Sequence, residues 1–375
     1  MAARKSPAEK EKNEARPPSL PLPAPVLHHH GRTLFGPMVE WRTRGHVPPV
    51  LLLTGLDGVG KRSVGQWLAQ WILCRESGFA RPEESTASLF GEVSAPAPPP
   101  EGDPRPCGQC TSCSRALSGS WLDFAEILPE EDSETLKIDQ FRELKAKLGF
   151  GAHEGPLKIT MIPDADRMTP QAANSMLKLL EEPPPGWAFF LTASDPSLVL
   201  PTVLSRCQVL RLKPFDPPTL RELLGGSGLE PARLEICAEL AQGSWGKALK
   251  LATAETWERR GDLLAFLEAP GSTLGALVDW ATSEPRHLES LLDQLESLLA
   301  DLVRASVSGA PQWANRDGAT ALAAQTRRMH GRFGSPAGAR AFWTERAERL
   351  TRIRRESLAP LNRKLLVQDL LMPFL

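Results

Sequence analysis

The pattern of apolar and polar positions along this chain changes once, near Pro214. Before that point, short apolar runs alternate with stretches of helical spacing. Pro49–Thr54, Asp123–Leu128, Lys158–Ile162 and Trp187–Thr192 are short and apolar enough to predict buried strands. Val64, Leu68, Trp71 and Ile72 mark the apolar side of a helix over Arg62–Cys74. Ile138, Phe141, Leu144 and Leu148 repeat at the same spacing, as do Ala173, Met176, Leu177 and Leu180. Pro183, Pro184 and Pro185 then stop that helix. Strands alternating with helices predict an α/β domain, a parallel sheet covered by helices on both faces. After Pro214 no strand-like run remains. Residues 217–255 read as short helices with turns at Gly225-Gly226 and Gly243, and 256–375 as longer amphipathic helices. Residues 1–33 are polar and Pro-rich and read as a disordered tail. His28, His29 and His30 lie in it, and adjacent side chains converge poorly on one ion.

A length of 375 residues predicts two or three domains, and an apolar fraction of 41% is ample for their cores. The formal charge of −1 excludes a global basic field aimed at nucleic acid or anionic membrane. No apolar run approaches the roughly 18 residues of a membrane span. Met1–Pro25 lacks the apolar core of a signal peptide, so a cytoplasmic protein with no membrane partner is expected. The 35 prolines gather at the N-terminus and around Pro96–Pro106, in tails and loops.

The first strand runs into Gly55-Leu-Asp-Gly-Val-Gly60-Lys61, and a helix follows. That is the context of a phosphate-binding loop, in which Gly55, Gly58 and Gly60 free backbone N–H groups to cradle phosphates and Lys61 adds a charge. The next position needs a hydroxyl to hold Mg²⁺, yet it is Arg62. Ser63 does not repair this, because one further residue turns the side chain about 100° around the helix. The cradle is present and a part needed for hydrolysis is missing.

Cys107, Cys110 and Cys113 stand at C-x₂-C-x₂-C spacing, and Cys74 at the end of the loop helix can supply a fourth thiol. Four thiolates satisfy a closed, structural Zn²⁺ site. An iron–sulfur cluster competes, since four cysteines also suit it; the lack of any other redox feature favours zinc. The Pro-rich stretch Arg75–Pro106 reads as an excursion closed off by the metal. Cys207 and Cys237 read as ordinary residues.

The glycine loop, the cysteine module, Ala172-Ala-Asn-Ser-Met-Leu-Lys-Leu-Leu-Glu-Glu-Pro183 and Leu204-Ser205-Arg206-Cys207 together resemble the bacterial clamp-loader ATPases of the AAA+ superfamily. The likeness runs over about 34–255, and Leu361–Leu371 looks like that family's final collar helix. It implies an AAA+ P-loop core over 34–213 with an inserted four-cysteine zinc module (74–113), a helical lid over 214–255 and an all-α collar over 256–375. It also implies partners: motor subunits and a delta subunit in a hetero-oligomer, the sliding clamp indirectly, and primed DNA.

Within this family motor subunits hydrolyse ATP and a stator-like subunit does not. A motor ends its second acidic motif in Asp-Glu; here the matching run is Ile162-Pro163-Asp164-Ala165, and Pro163 can ligate nothing. A motor's lid carries an arginine where this chain has Gly246, in Gly243-Ser-Trp-Gly246-Lys247-Ala-Leu249. Arg62, Pro163 and Gly246 damage three parts of one site, which points to the non-hydrolysing branch, with weak or absent ATP or ADP binding at Gly55, Gly58, Gly60 and Lys61. Arg206 survives, and the resemblance implies that it reaches a neighbour's ATP site as a trans arginine finger. On its own a Ser-Arg-Cys arginine reads better as a surface ion pair. Lys178, Glu181 and Glu182 read as the polar face and end of their helix, and the arginines at 327, 328, 352, 354, 355 and 363 as solvated collar faces and salt bridges. Two competing readings are an active P-loop ATPase using Lys61 and Asp164, and a zinc-dependent nucleic-acid-binding module.

Overall fold

Five short runs pair into one parallel sheet in the computed structural model, which describes residues 22–79, 104–129, 135–147, 151–269, 273–307, 313–356 and 363–374. The first unit, up to Pro214, contains helix α1 (Ala24–Arg44), β1 (Val50–Thr54), α2 (Lys61–Leu73), α3 (Thr111–Ser118), β2 (Phe124–Glu126) and α4 (Ile138–Lys147). It continues with β3 (Lys158–Ile162), α5 (Pro170–Glu181), β4 (Trp187–Ala193), the single turn α6 (Pro201–Leu204) and β5 (Gln208–Arg211). The strand order is β2-β3-β4-β1-β5. β1 therefore sits between β4 and β5, while the chain leaving it crosses to the far edge at β2. Loops that follow β1, β3 and β4 consequently meet at the carboxyl ends of the strands, where open α/β sheets bind ligands.

One face of the sheet is covered by α4 and α5, whose Phe141, Leu144, Ala173, Met176 and Leu180 are buried with Leu52, Phe189 and Leu191. α2 covers the other face through Val64, Leu68, Trp71 and Ile72, all essentially buried, as the periodicity predicts. Its Gly65 lies so near the sheet that a Cβ there would come within 2.9 Å of the Met161 sulfur. α5 starts on Thr169, whose hydroxyl accepts from the Ala172 N–H, and ends where Glu182 meets Pro183.

Two elements depart from the sequence reading. Helix α1 begins at Ala24, inside the stretch read as a tail, so the tail reading fails over 24–33. Val26, Leu27, His30, Leu34, Met38 and Trp41 form its buried stripe, and Pro25 sits in the first turn, where a missing N–H costs nothing. β5 has no counterpart among the expected strands: it is a four-residue edge strand in which only Leu210 is buried, so it carries no apolar run. Residues 1–21, most of Arg75–Pro106 and Leu148 lie outside the described residues.

The second unit, from Phe215 onward, is helical throughout its described residues. Three short helices, α7 (Pro217–Leu224), α8 (Pro231–Leu240) and α9 (Trp245–Ala252), pack on one another. They are followed by α10 (Ala254–Glu268), α11 (Leu274–Ser283), α12 (Pro285–Ala305), α13 (Ala319–Phe333), α14 (Pro336–Glu356) and α15 (Arg363–Leu371). Those six share a core that includes Phe266, Leu291, Leu298, Trp343 and Phe374. The segments read as lid and collar thus both lie in this one unit. No helix among the described residues is long and apolar enough to cross a membrane.

Candidate functional site

The loop from β1 to α2 has the backbone that phosphate cradles require. Gly55, Gly58 and Gly60 have φ of 153°, 73° and 90°, values that side chains oppose. At Gly55 the space is closed as well, since a Cβ would lie 2.6 Å from the Leu212 carbonyl oxygen. Lys61 opens α2 and is buried, at 5% exposure. Its ammonium donates to the carbonyls of Gly55 (3.1 Å) and Leu56 (3.2 Å) and to the Ser194 hydroxyl (2.8 Å). All three ammonium hydrogens therefore have acceptors within the protein. Burial lowers the Lys61 pKa from its ordinary value, opposed by the nearby carboxylates of Asp57, Asp164 and Asp166.

Arg62 is turned away from this cradle. Its Nε and Nη2 grip both oxygens of Glu126 on β2, at 3.1 and 2.5 Å, and Gln66 Nε2 adds a third bond to Glu126 at 3.1 Å. The Glu126 side chain is only 4% exposed. A carboxylate so buried needs a hydrogen-bonded cation, and Arg62 provides it as a bidentate fork.

At the end of β3, Pro163 leads into Asp164, which holds a left-handed φ of 52°. Its N–H donates to the Thr192 hydroxyl on β4 at 3.0 Å, and burial raises the pKa of its carboxyl. Asp166, two residues on, accepts the N–H groups of Ser194 (2.8 Å) and Asp195 (3.0 Å). Asp166 thus fixes the loop that presents Ser194 to Lys61. Sequence reasoning missed Ser194 and Asp166. The signal available was a lone hydroxyl just past the carboxyl end of β4, the strand beside β1.

α1 also touches the cradle. His30, 1% exposed, hydrogen-bonds the Val59 carbonyl through Nε2 at 3.1 Å. Burial drives its pKa down to about 4, so this histidine is neutral. His28-His29-His30 is accordingly part of a helix, and the exposed-tail reading of His30 does not hold.

Arg206 lies just past α6. Its Nη2 pairs with Glu181 at the end of α5, and its Nη1 donates to the Thr202 carbonyl (2.6 Å) and the Ser205 hydroxyl (3.1 Å). The Arg206 and Glu181 side chains are 31% and 46% exposed. In the second unit Gly246 sits in the first turn of α9, and Lys247 beside it pairs with Asp293 at 3.1 Å.

Cys74, Cys107, Cys110 and Cys113 come together with all four sulfurs within 4.8 Å of one another. The sulfurs of Cys107 and Cys113 are 4.0 Å apart and those of Cys74 and Cys110 are 3.9 Å apart, and none of the four is in a disulfide. Around one tetrahedral Zn²⁺ with bonds of about 2.3 Å, sulfurs lie about 3.8 Å apart. Backbone N–H groups also aim at the sulfurs: Glu76 and Cys107 at Cys74 Sγ (3.4 and 3.3 Å), and Cys110 at Cys107 Sγ (3.4 Å). A hydrogen bond from Cys113 pulls the Cys74 thiol down to about 5, and the same pairing pushes Cys113 up. Four sulfurs at this spacing, with backbone N–H groups aimed at them, fit a metal ion of this class.

The family model described as "DNA polymerase III, delta subunit" matches residues 38–216. The chain is 29% identical to the DNA polymerase III subunit delta' of Escherichia coli over 337 residues, covering 88% of this chain and 89% of that protein. It is a relative of the DNA polymerase III delta' subunits. This bears out the resemblance carried by the four motifs. The Escherichia coli DNA polymerase III subunit tau is 26% identical over 293 residues, covering 71% of this chain and 41% of that protein. Identity to delta' and to tau is thus similar, and the residues at the site bear more directly on hydrolysis. Among solved structures, a gamma subunit-related protein of Thermotoga maritima covers 90% of this chain and 98% of its own at 18% identity, with a TM-score of 0.44.

Proposed function

We propose that this chain is the delta' subunit of a replicative clamp loader: it does not hydrolyse ATP itself and lends Arg206 to a neighbouring subunit's ATP site. In that role it belongs to the polymerase III holoenzyme, assembles with motor subunits and a delta subunit, and helps place the sliding clamp on primed DNA. The observation that carries the reading is the state of Lys61 and Arg62. The lysine that would meet a γ-phosphate is saturated by Gly55, Leu56 and Ser194, and the Mg²⁺ position holds an arginine locked on Glu126. Pro163 offers no ligand, and Asp164, shorter than the usual glutamate, is engaged with Thr192 through its backbone. A motor needs all these parts together.

Arg206 fits the opposite role. It stands at a surface edge, and its carboxylate partner is exposed, so exchanging that partner for a phosphate oxygen costs little. Planar, bidentate N–H donors beside a γ-phosphate stabilise the charge that builds in the transition state. The four cysteines would hold a structural zinc, tying α2 to α3; an all-thiolate set leaves no open position for catalysis.

The active-ATPase alternative predicts turnover by the purified chain that Lys61→Ala abolishes. The present reading predicts none, and no heat from ATPγS at micromolar concentration in titration calorimetry. Zinc is checked by metal analysis of the purified chain, with one zinc per chain expected. Cys113→Ala should remove it and lower Tm, whereas the same Tm with and without chelator argues against a structural metal.

A further inference from the structure

The second unit holds a cavity of about 290 Å³ that no step above uses, formed where α13, α14, α15 and the residues just after α15 meet. Three arginines line it, Arg332, Arg346 and Arg349, against one acid, Asp369. Asp369 pairs with Arg349. Arg346 and Arg332 flank Phe342, with guanidinium carbons 4.8 and 5.8 Å from its ring centre. Stacking of this kind fixes a guanidinium plane and leaves its N–H edge able to receive an oxyanion. Arg346 also meets the exposed Glu345 at 3.1 Å, a surface contact that an entering carboxylate can replace. The floor is firm: Phe342 sits 4.9 Å from Trp343, which is buried and stacks on Phe374 at 5.3 Å.

The rim of this cavity is apolar. Met372 lines it and is 57% exposed, and Phe333, packed on Phe342 at 5.4 Å, is 38% exposed. Excess positive charge inside and exposed apolar side chains at the edge define one kind of ligand. The geometry points to a docking site for an acidic peptide segment of a partner protein, in which aspartate or glutamate enters between Arg332 and Arg346 and a neighbouring apolar side chain covers Met372 and Phe333.

Nucleic acid fits this surface less well. A strand needs a continuous track of basic groups open to successive phosphates. Here Arg354 is held by Asp293 (2.8 Å) and Glu296 (3.2 Å), Arg328 by the Phe374 carbonyl (3.0 Å), and Arg349 by Asp369 inside the cavity itself. At about 290 Å³ the cavity also lies just below the range of about 300–1,000 Å³ usual for ligand sites, a size for one or two side chains.

The test is fluorescence anisotropy of the full-length chain with a short fluorescein-labelled peptide of alternating aspartate and leucine. Saturable binding is expected, weakened by salt and absent with a lysine–leucine peptide. Arg332→Glu changes an exposed residue, so its melting curve should match the parent while its affinity falls at least about tenfold. Arg346→Lys keeps the charge but loses the planar fork, and should weaken binding severalfold. The proposal is overturned if the parent shows no saturable binding or Arg332→Glu binds as well as the parent. It is also overturned if single-stranded oligothymidylate displaces the peptide at equal concentration.

Discussion

The two charged edges of the first unit differ in how tightly they are committed. At the ends of β1, β3 and β4, cations are held against fixed partners: Lys61 at 5% exposure, and Arg62 on a Glu126 side chain that is 4% exposed. Beyond α6, Arg206 rests on Glu181 with both side chains partly in water. The difference lies in desolvation. An ion pair with a buried member cannot be taken apart without stranding a charge, while an exposed pair is worth about 0–1 kcal/mol and is readily exchanged. One edge has become part of the core; the other remains available to a partner.

The sharpest way to break this contrast is to restore the missing hydroxyl. Arg62→Ser rebuilds the phosphate-loop motif and leaves Glu126 buried without its cation. The loss should be about 2–3 kcal/mol in urea melts, discounted from a fully buried pair because Arg62 is partly exposed. No ATPase should appear. A stable Arg62→Ser chain that hydrolyses ATP would erase the distinction between the two edges.

That coupling was not legible in the sequence. The pairing of Arg62 with Glu126 joins residues 64 positions apart, and it exists only because β2 lies at the sheet edge beside β3. Four of the five strands, the three main helices of the core and the cysteine cluster could be read directly, because each rests on local periodicity or spacing. β5 could not, having one buried residue, and α1 was hidden by its prolines and three histidines. Ser194 and Asp166 reach Lys61 only through the folding of two loops, so no linear spacing announces them.

Next in size is Lys61→Met. It removes a buried ammonium from the Gly55 and Leu56 carbonyls and the Ser194 hydroxyl, of which the Leu56 carbonyl keeps the Val59 N–H, a loss of about 1–3 kcal/mol. An assembled complex carrying it should keep its ATPase once folded; a fall in turnover with unchanged assembly would show that the cradle still acts.

His30 gives a pH-dependent form of the same point. Its pKa is about 4 in the fold against 6.5 ordinarily, so between those values the unfolded chain binds more protons. Its contribution is full above pH 6.5 and is lost as pH falls toward 4. His30→Gln keeps a donor for the Val59 carbonyl and should flatten Tm against pH in that window, by an amount corresponding to about 3 kcal/mol. Identical slopes for the two chains would mean that α1 is not anchored to the loop through a neutral histidine.

The smallest effect expected on stability is that of Arg206→Ala, within about 0.5 kcal/mol, because the pair with Glu181 and the hydrogen bonds to Thr202 and Ser205 are all made to exposed partners. Its effect on a partner is where the central claim stands or falls. The decisive measurement is DNA-stimulated ATPase of the complex assembled with motor subunits, comparing the parent chain with Arg206→Ala at equal incorporation. The account predicts that assembly is unchanged and that turnover drops by the contribution of the ATP site facing Arg206. Turnover equal to that of the parent complex would contradict it.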